Sequence, residues 1–405
     1  MTLHDYIATT KAALRIFQVS TPRLIGKFMY NFAWKSYRSM NAFEKRLAKQ
    51  EPFFPAFLMV SVTETCNLAC KGCWVSRGGR KQLSIKQLDG IIREGKKHGS
   101  YFYGILGGEP LMYKGLLDLM EKHSDCYFQL FTNGTLITEE LAMRLKKLGN
   151  VTPLISIEGL EEESDLRRQR EEVFNRTLRG VRACRKAKLI FGAACSICMS
   201  NFDDLVNRAY IERIAKEGAM YLWYYIYRPV GAEPCVENAL TQEKIYVLRS
   251  FIAEQRKDAP LIIIDTYWDD KGKAMCPGAT GMSHHISPSG ALEFCPPFQM
   301  ATDFLNEDAS NLGEICNSAF LARCRKNIAE VTRGCILMDH PDKVVELLEK
   351  EPEAVDTTSR GTVMEEYRKM RAVASHDMEA QAIPEQNVFY KFLKKRYFFG
   401  FGAYG

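Results

Sequence analysis

Between residue 56 and about residue 230, short apolar and β-branched runs alternate with stretches whose apolar residues recur at helical spacing. The runs predict strands over Ala56–Val62, Tyr101–Leu106, Tyr127–Thr132, Pro153–Ile157, Leu189–Met199 and Tyr221–Tyr227. Between the first two, Ser84 and Gln87 stand at capping-box spacing, Ile85, Leu88, Ile91 and Ile92 share a face, and Gly99 is a stop signal. Between the third and fourth, Thr138 caps a helix carrying Leu141, Leu145 and Leu148, which Gly149 ends. Near-continuous apolar strands separated by amphipathic helices imply an α/β fold with a parallel sheet covered by helices. Six such units fit a partial (β/α)6 barrel or a doubly wound sheet, and either places its chemistry where the strands end.

Outside this region the pattern changes. Upstream, Thr21 and Pro22 read as an N-cap followed by proline at the first helical position. The helix they open puts Leu24, Ile25, Phe28, Met29 and Phe32 on one face and Arg23, Lys27, Asn31 and Lys35 on the other. Downstream, "LIIID" at Leu261–Asp265 opens a stretch richer in Gly, Pro and Cys that runs to about residue 340. The last sixty residues read as a helix, "DKVVELLEK", a polar linker and the aromatic and basic tail "VFYKFLKKRYFFGFGAYG".

Composition is that of a soluble globular protein, 46% hydrophobic and 26% charged. The opening residues lack the apolar core of a signal peptide, and no apolar run nears the ~20 residues of a membrane span, so a cytoplasmic protein is expected. The formal net charge of +6 is unevenly spread: residues 1–50 hold nine basic residues, from Lys11 to Lys49, against Asp5 and Glu44. The body is therefore close to neutral, and no nucleic-acid partner is expected. Thirteen cysteines, an odd count without a secretory signal, favour a reducing compartment and metal ligation over disulfides.

Three of those thiols fall within eight residues, in "CNLACKGC" at Cys66, Cys70 and Cys73, at the mouth of the first strand. A disulfide uses two, and a structural zinc site takes four ligands; the next histidine is His98 and the next cysteine Cys126. A cubane iron–sulfur cluster has four irons, so three thiolates leave one open to a small chelating molecule.

The spacing C-x3-C-x2-C resembles the signature of the radical S-adenosylmethionine (SAM) superfamily, and turn motifs at later strand ends extend the resemblance. It implies a partial (β/α)6 TIM barrel carrying a small C-terminal α+β cluster-binding domain and a helical N-terminal arm. The divisions are 1–54 (basic arm), 55–258 (barrel), 259–345 (SPASM/twitch-like auxiliary-cluster domain) and 346–405 (helix, linker and tail). It implies a 4Fe–4S cluster on Cys66, Cys70 and Cys73 and SAM bound to the open iron. Reductive cleavage of that SAM gives a 5′-deoxyadenosyl radical, which abstracts hydrogen from substrate.

The resemblance also assigns SAM-binding positions: Gly107, Gly108, Glu109 and Pro110 of "GGEP", Asn133 of "TNGT", Ser156 of "SIEG", and Arg168, which with Asp165 and Phe174 matches the family's D-x-x-R segment. "YRPVG" (Tyr227–Gly231) matches the element leaving the sixth strand. Two positions depart from the pattern. Glu158 stands where the family commonly has Asp, and Gly72 where many members carry an aromatic residue near the adenine; here Trp74 follows the third cysteine instead. No catalytic side chain is singled out.

A second cysteine set spans Cys276 to Cys295, with Gly290 in a G-x4-C hairpin, and resembles the opening half of a SPASM/twitch domain. A full SPASM domain would continue with a dense four-cysteine run; this chain has Cys335, plus Cys316 and Cys324 in a helical stretch. One auxiliary 4Fe–4S cluster is therefore expected on Cys276, Cys295 and Cys335. Cys324 or Cys316 would be its fourth ligand, or its last iron would stay open. Cys126, Cys184, Cys195, Cys198 and Cys235 lack ligand spacing and read as small buried hydrophobes. His284 and His285 read as packing residues, and Asp265, Tyr267 and Trp268 as pocket candidates.

Both chain ends are basic and aromatic, Lys391, Lys394, Lys395 and Arg396 alternating with Phe389, Tyr390, Phe392, Tyr397 and Phe398. Such ends suit an anionic membrane surface and an amphiphilic or lipid-linked substrate; alternatively, the arm packs its apolar face on the barrel. The rival substrate is a ribosomally made peptide, as for many SPASM/twitch enzymes. A rival of another class is a non-catalytic iron–sulfur electron carrier. A small donor such as flavodoxin or ferredoxin is the electron source the enzyme reading requires.

Overall fold

The computed structural model describes residues 15–378 and 381–397. Lys11 of the arm and the tail from Phe398 onward lie outside them. The arm enters through α1 (Pro22–Lys27), a π-helical stretch (Phe28–Trp34) and α2 (Lys35–Lys49). Then strands and helices alternate: β1 (Phe57–Ser61), α3 (Ile85–Lys97), β2 (Phe102–Leu106), α4 (Leu116–Lys122), β3 (Tyr127–Thr132), α5 (Glu139–Leu148), β4 (Val151–Ser156), α6 (Glu161–Arg168), α7 (Val173–Lys186), β5 (Gly192–Ile197), α8 (Arg208–Lys216), β6 (Tyr221–Ile226), α9 (Gln242–Gln255) and β7 (Ile262–Ile264). Beyond these come β8 (Ser283–Ile286), β9 (Leu292–Glu293), β10 (Met300–Ala301), α10 (Ala319–Val331), α11 (Pro341–Glu349), β11 (Val355–Asp356) and α12 (Val388–Arg396).

Nine strands form one sheet in the order β7-β6-β5-β4-β3-β2-β1-β8-β9. The first seven strands pair in parallel with their chain neighbours, as the alternation predicts, which is the layout of a partial (β/α) barrel. β1 pairs on its other side with β8, also in parallel, so the hairpin of the second cysteine set extends the barrel sheet. Within β1, β2 and β6 every residue is buried, consistent with a sheet covered on both faces.

The predicted helix signals appear as bonds. Ser84 Oγ accepts the Gln87 amide at 3.0 Å while the Gln87 side chain accepts the Ser84 amide at 3.1 Å. Thr138 Oγ1 accepts from the Leu141 amide, and Gly149 ends α5 in the left-handed region at φ 72°.

The basic arm seals the floor of the barrel, where helices coming down from the sheet end with unpaired carbonyls. Arg46 donates to the carbonyl of His98 just past α3, Lys35 to Asp125 past α4, Lys27 to Leu148 in α5, Ser20 to Lys188 past α7 and Arg15 to Ala219 past α8. Arg23 also reaches the Lys146 and Lys147 carbonyls of α5. Each cation at a helix C-terminus contributes about 0.3–1 kcal/mol. Leu24, Ile25 and Phe32 of the predicted apolar face are buried, Phe32 against Phe102 and Tyr127 at ring distances of 5.2 and 5.5 Å. Met29 of that face is exposed, and the stripe opposite it, Arg23, Lys27, Asn31 and Lys35, also turns to the barrel. The barrel-packing alternative for the arm therefore accounts for its basic stripe.

Candidate functional site

The site is built from the turns that leave the strands. The cysteine loop follows β1 and is tied down on several sides. The Lys71 amide donates to the Arg167 carbonyl at 2.8 Å, Asn67 bonds Asn133 and Thr135 at 2.9 Å each, and Arg360 and Gln299 donate to the Trp74 carbonyl at 3.1 and 3.3 Å. The loop encloses one side of a cavity of about 240 Å³ that also reaches Gly107 and Gly108 after β2, Asn133 after β3, Ser156 and Glu158 of the β4 turn, Ser196 near the end of β5, and Tyr225 to Arg228 at the end of β6. All of these sit at C-terminal strand ends.

Cys66, Cys70 and Cys73 share the cavity wall. They are reachable from the cavity yet ringed by protein, and that enclosure pushes the Cys66 thiol up to about 11 and the Cys73 thiol up to about 12, with mutual repulsion and Cys70 adding to it. Backbone amides face two of these sulfurs, Leu68 N–H at 3.4 Å from Cys66 and Val75 N–H toward Cys73. Thiols so placed stay protonated unless a cation displaces the protons, and the amide donors favour the anion once it forms. Among the described residues, no three ligating side chains converge as tightly as a single metal ion requires.

Of the positions assigned to SAM, Gly107, Gly108, Asn133, Ser156 and Arg168 line the cavity. A β-carbon on Gly108 would collide with the Thr65 and Glu64 carbonyls, so the backbone runs there without a side chain. Arg168 is buried; its Nη2 donates to the Ser156 carbonyl at 3.0 Å and its Nε has no hydrogen-bond partner among the described residues. A buried donor left open beside a cavity fits an anionic group of a bound ligand. Asp165 accepts from the Glu172 and Phe174 amides at 2.7 and 2.8 Å, which holds the turn that carries Arg168.

Glu109 and Pro110 do not line the cavity. Glu109 is fully buried behind its wall, where its carboxylate accepts from Asn133 N–H, Thr132 Oγ1 and Leu111 N–H at 2.8, 2.8 and 3.1 Å. It braces the "TNGT" turn against the "GGEP" turn. Burial raises its pKa against those bonds.

Several lining residues were not singled out as ligands in the sequence. Glu158 takes an ion pair from Arg167 Nη1 at 2.9 Å, and Arg167 lies 5.1 Å from the centre of the Tyr227 ring. Arg167 stands beside Arg168 in "DLRRQ", where spacing alone cannot tell which guanidinium turns to which partner.

The second cysteine set forms its own enclosure. Cys276, Cys295 and Cys335 line a small cavity with Arg228, Tyr267 and His376. Burial pushes Cys276 up to about 11 and raises Cys295 further, each repelled by its neighbours in the set. Gly278 and Ala279 amides face Cys276, and the Phe298 amide faces Cys295, the same donor chemistry as in the first loop. Cys324 and Cys316 are not brought to this cavity. Cys324 is buried in α10 beside Glu351, Arg323 and Arg325, and Cys316 beside Arg325.

Asp265 and Trp268 are buried elsewhere, and Tyr267 belongs to this smaller cavity. His284 and His285 pack as expected: His284 Nδ1 meets the Phe294 carbonyl at 3.0 Å, and His285 lies between Ser61 at 2.7 Å and Glu293 at 2.6 Å.

Comparison with known proteins bears on both the fold and the first site. Residues 60–213 match the profile of the radical SAM superfamily. The chain is similar to the sporulation killing factor maturation protein SkfB of Bacillus subtilis, 28% identical over 173 residues, covering 42% of each chain. It is similar to Fe-coproporphyrin III synthase of Methanosarcina barkeri, 25% identical over 222 residues, covering 52% of this chain and 55% of that one. The match thus spans about half the length of these curated relatives. In fold it resembles Streptococcus suis SuiB, solved with the precursor peptide SuiA, at a TM-score of 0.57 and 16% identity over 70% of this chain and 69% of that one. The chain carries a radical SAM domain over residues 60–213.

Proposed function

We propose that the protein is a SAM-cleaving enzyme with a second iron–sulfur centre, in which Cys66, Cys70 and Cys73 hold the first cluster and Cys276, Cys295 and Cys335 the second. Members of the superfamily are enzymes that use SAM and a 4Fe–4S cluster. When bound, that pair supplies reductive cleavage of the sulfonium to a 5′-deoxyadenosyl radical. The chain's own residues then have separable tasks. Arg168 supplies a donor for the SAM carboxylate, and the Gly107–Gly108 backbone admits the ligand close to the wall. The Glu158–Arg167 pair keeps Arg167 turned toward Ser196, whose carbonyl it reaches at 2.7 Å.

The observation that carries this reading is the shared wall: Arg228 and Pro297 line both the large cavity and the cavity of the second thiol set. A substrate held there touches both centres, which an electron carrier has no need of. Anaerobic reconstitution with iron and sulfide, followed by assay for 5′-deoxyadenosine, tests it. Cleavage is expected, and Cys70→Ala abolishes it; an unchanged rate in that variant refutes the assignment.

For the substrate, the names of SkfB and of SuiB bound to SuiA support a peptide. Fe-coproporphyrin III synthase shows that relatives are not confined to peptides. Peripheral contact with an anionic membrane, which suits an amphiphile, draws support from the outward side of the arm. Tyr30 is 61% and Trp34 51% exposed, near exposed Arg38, Lys395 and Arg396. No helix among the described residues is long and apolar enough to cross a membrane.

A further inference from the structure

Arg228 occupies a position that neither thiol set explains by itself. It follows β6, lines the large cavity on one side and borders the enclosure of Cys276, Cys295 and Cys335 on the other. Its guanidinium lies 5.4 Å from the centre of the Tyr267 ring. Tyr267 is itself held, its hydroxyl accepting from the Ile226 amide at 2.8 Å, so the stack is anchored to the last residue of β6. From this seat the guanidinium hydrogen-bonds the Cys335 sulfur and lies near that of Cys295. His376, whose ring packs 4.8 Å from Tyr267, closes the enclosure.

A permanent cation donating to a ligand sulfur has a definite consequence for an iron–sulfur centre. Reduction adds one electron and one negative charge, and a donor aimed at the sulfur stabilises the reduced form more than the oxidised one. Arginine suits the task because it cannot lose its proton.

We infer that Arg228 is the positioning residue that sets the reduction potential of the second centre, raising it through its hydrogen bond to Cys335 from the wall shared with the substrate cavity. This rests on the reading that Cys276, Cys295 and Cys335 hold a cluster. The same placement lets an anionic substrate group in the large cavity compete for the guanidinium, so occupancy and potential are linked.

The test uses the full chain with Cys66, Cys70 and Cys73 replaced by Ala, so that any iron–sulfur signal belongs to the second set. Dithionite titration followed by electron paramagnetic resonance gives the midpoint of the one-electron couple, the electron coming from dithionite. Arg228→Met is expected to disfavour reduction at least tenfold, a drop of about 59 mV or more. Arg228→Lys, which keeps the charge and one donor, recovers at least half of the shift; a merely structural role would not order the variants by charge. If the Met variant does not assemble, Arg228→Gln takes its place, with a drop of the same sign. Iron bound with an unchanged midpoint in the neutral variant overturns the role of Arg228 while leaving the cluster assignment standing. Absence of iron from the triple-Ala parent overturns the cluster assignment, and the role of Arg228 with it.

Discussion

The hydroxyl of Tyr227 stands where a β-carbon on Gly72 would have to lie. Gly72 sits at φ +67° immediately before Cys73, and the Tyr227 hydroxyl donates to the Pro234 carbonyl at 2.6 Å. The ring of Tyr227, from the turn after β6, therefore fills the space that a side chain at position 72 would need. The small residue and the ring are two halves of one arrangement.

Gly72→Ala is accordingly expected to disturb the loop in two ways, by collision with Tyr227 and by a left-handed backbone that costs an alanine about 1 kcal/mol or more. Iron at the first site should fall by more than half while iron at the second site is kept, and 5′-deoxyadenosine formation should fall with it. Iron analysis beside the assay checks this; a fully loaded, active variant would count against the arrangement.

Cys335, expected as a ligand, and Cys324, a candidate only for the fourth place, should behave differently. Cys335→Ala is expected to remove the second cluster, lowering iron from about eight to about four per chain. Cys324→Ala, a buried thiol away from that cavity, should keep both clusters and cost only a small packing penalty, about 1 kcal/mol. Iron loss in the Cys324 variant equal to that in the Cys335 variant would reverse the assignment.

Asp265, at the end of β7, carries a buried charge cluster with Arg249 at 3.1 Å, Arg256 at 2.8 Å and Lys394 of α12 at 2.7 Å, while Glu385 pairs with Arg256 at 2.6 Å. Three cations face two carboxylates, so one positive charge is in surplus. Arg256, Lys394 and Arg249 hold the Asp265 carboxyl below its usual range despite burial. Burial lowers Lys394 to about 8, with Arg256 and Arg249 adding to the effect against the pull of Asp265. Asp265→Asn, which strands the cations, should cost about 3–5 kcal/mol, whereas Lys394→Met should cost far less. Between pH 8 and the ordinary lysine value the unfolded chain binds the extra proton, so wild type gains stability relative to Lys394→Met as pH rises, by up to about 1.4 kcal/mol per unit. Urea midpoints of both proteins at pH 7 and 9.5 measure this, and a difference that shrinks with pH would contradict it.

Membrane contact is testable without dismantling the floor of the barrel. Deleting residues 1–50 would remove the groups that close five helix ends, so surface variants are the better probe. Tyr30→Glu with Trp34→Glu should lower flotation with anionic vesicles about tenfold and leave the melting temperature within a few degrees, because both side chains face outward. Equal flotation of the two forms would remove the membrane from the account.

How far the site was legible in the sequence follows from the range of each interaction. The Ser84–Gln87 box, the Thr138 cap and the Gly149 stop are contacts between residues at most four positions apart, and each formed as the spacing predicts. The Cys66, Cys70 and Cys73 set is equally local, since one loop carries all three. Glu109 shows the limit. Its motif marked a site, but whether the side chain enters the cavity or braces its wall depends on Asn133, twenty-four residues away. The basic arm shows it again, because its stripe reads alike whether it faces lipid head groups or helix carbonyls.

By itself, then, the order of residues determined the succession of strands and helices, their caps, and one loop dense in thiols. These depend on periodicity and on bonds within a turn or two. Tertiary structure alone decided that neither Cys324 nor Cys316 reaches the cavity of Cys276, Cys295 and Cys335, that the arm's cations close the barrel floor, and that Arg228 stands between two cavities. Those outcomes turn on which groups meet across a buried space, and burial chooses partners for charges and thiols only after the chain has folded.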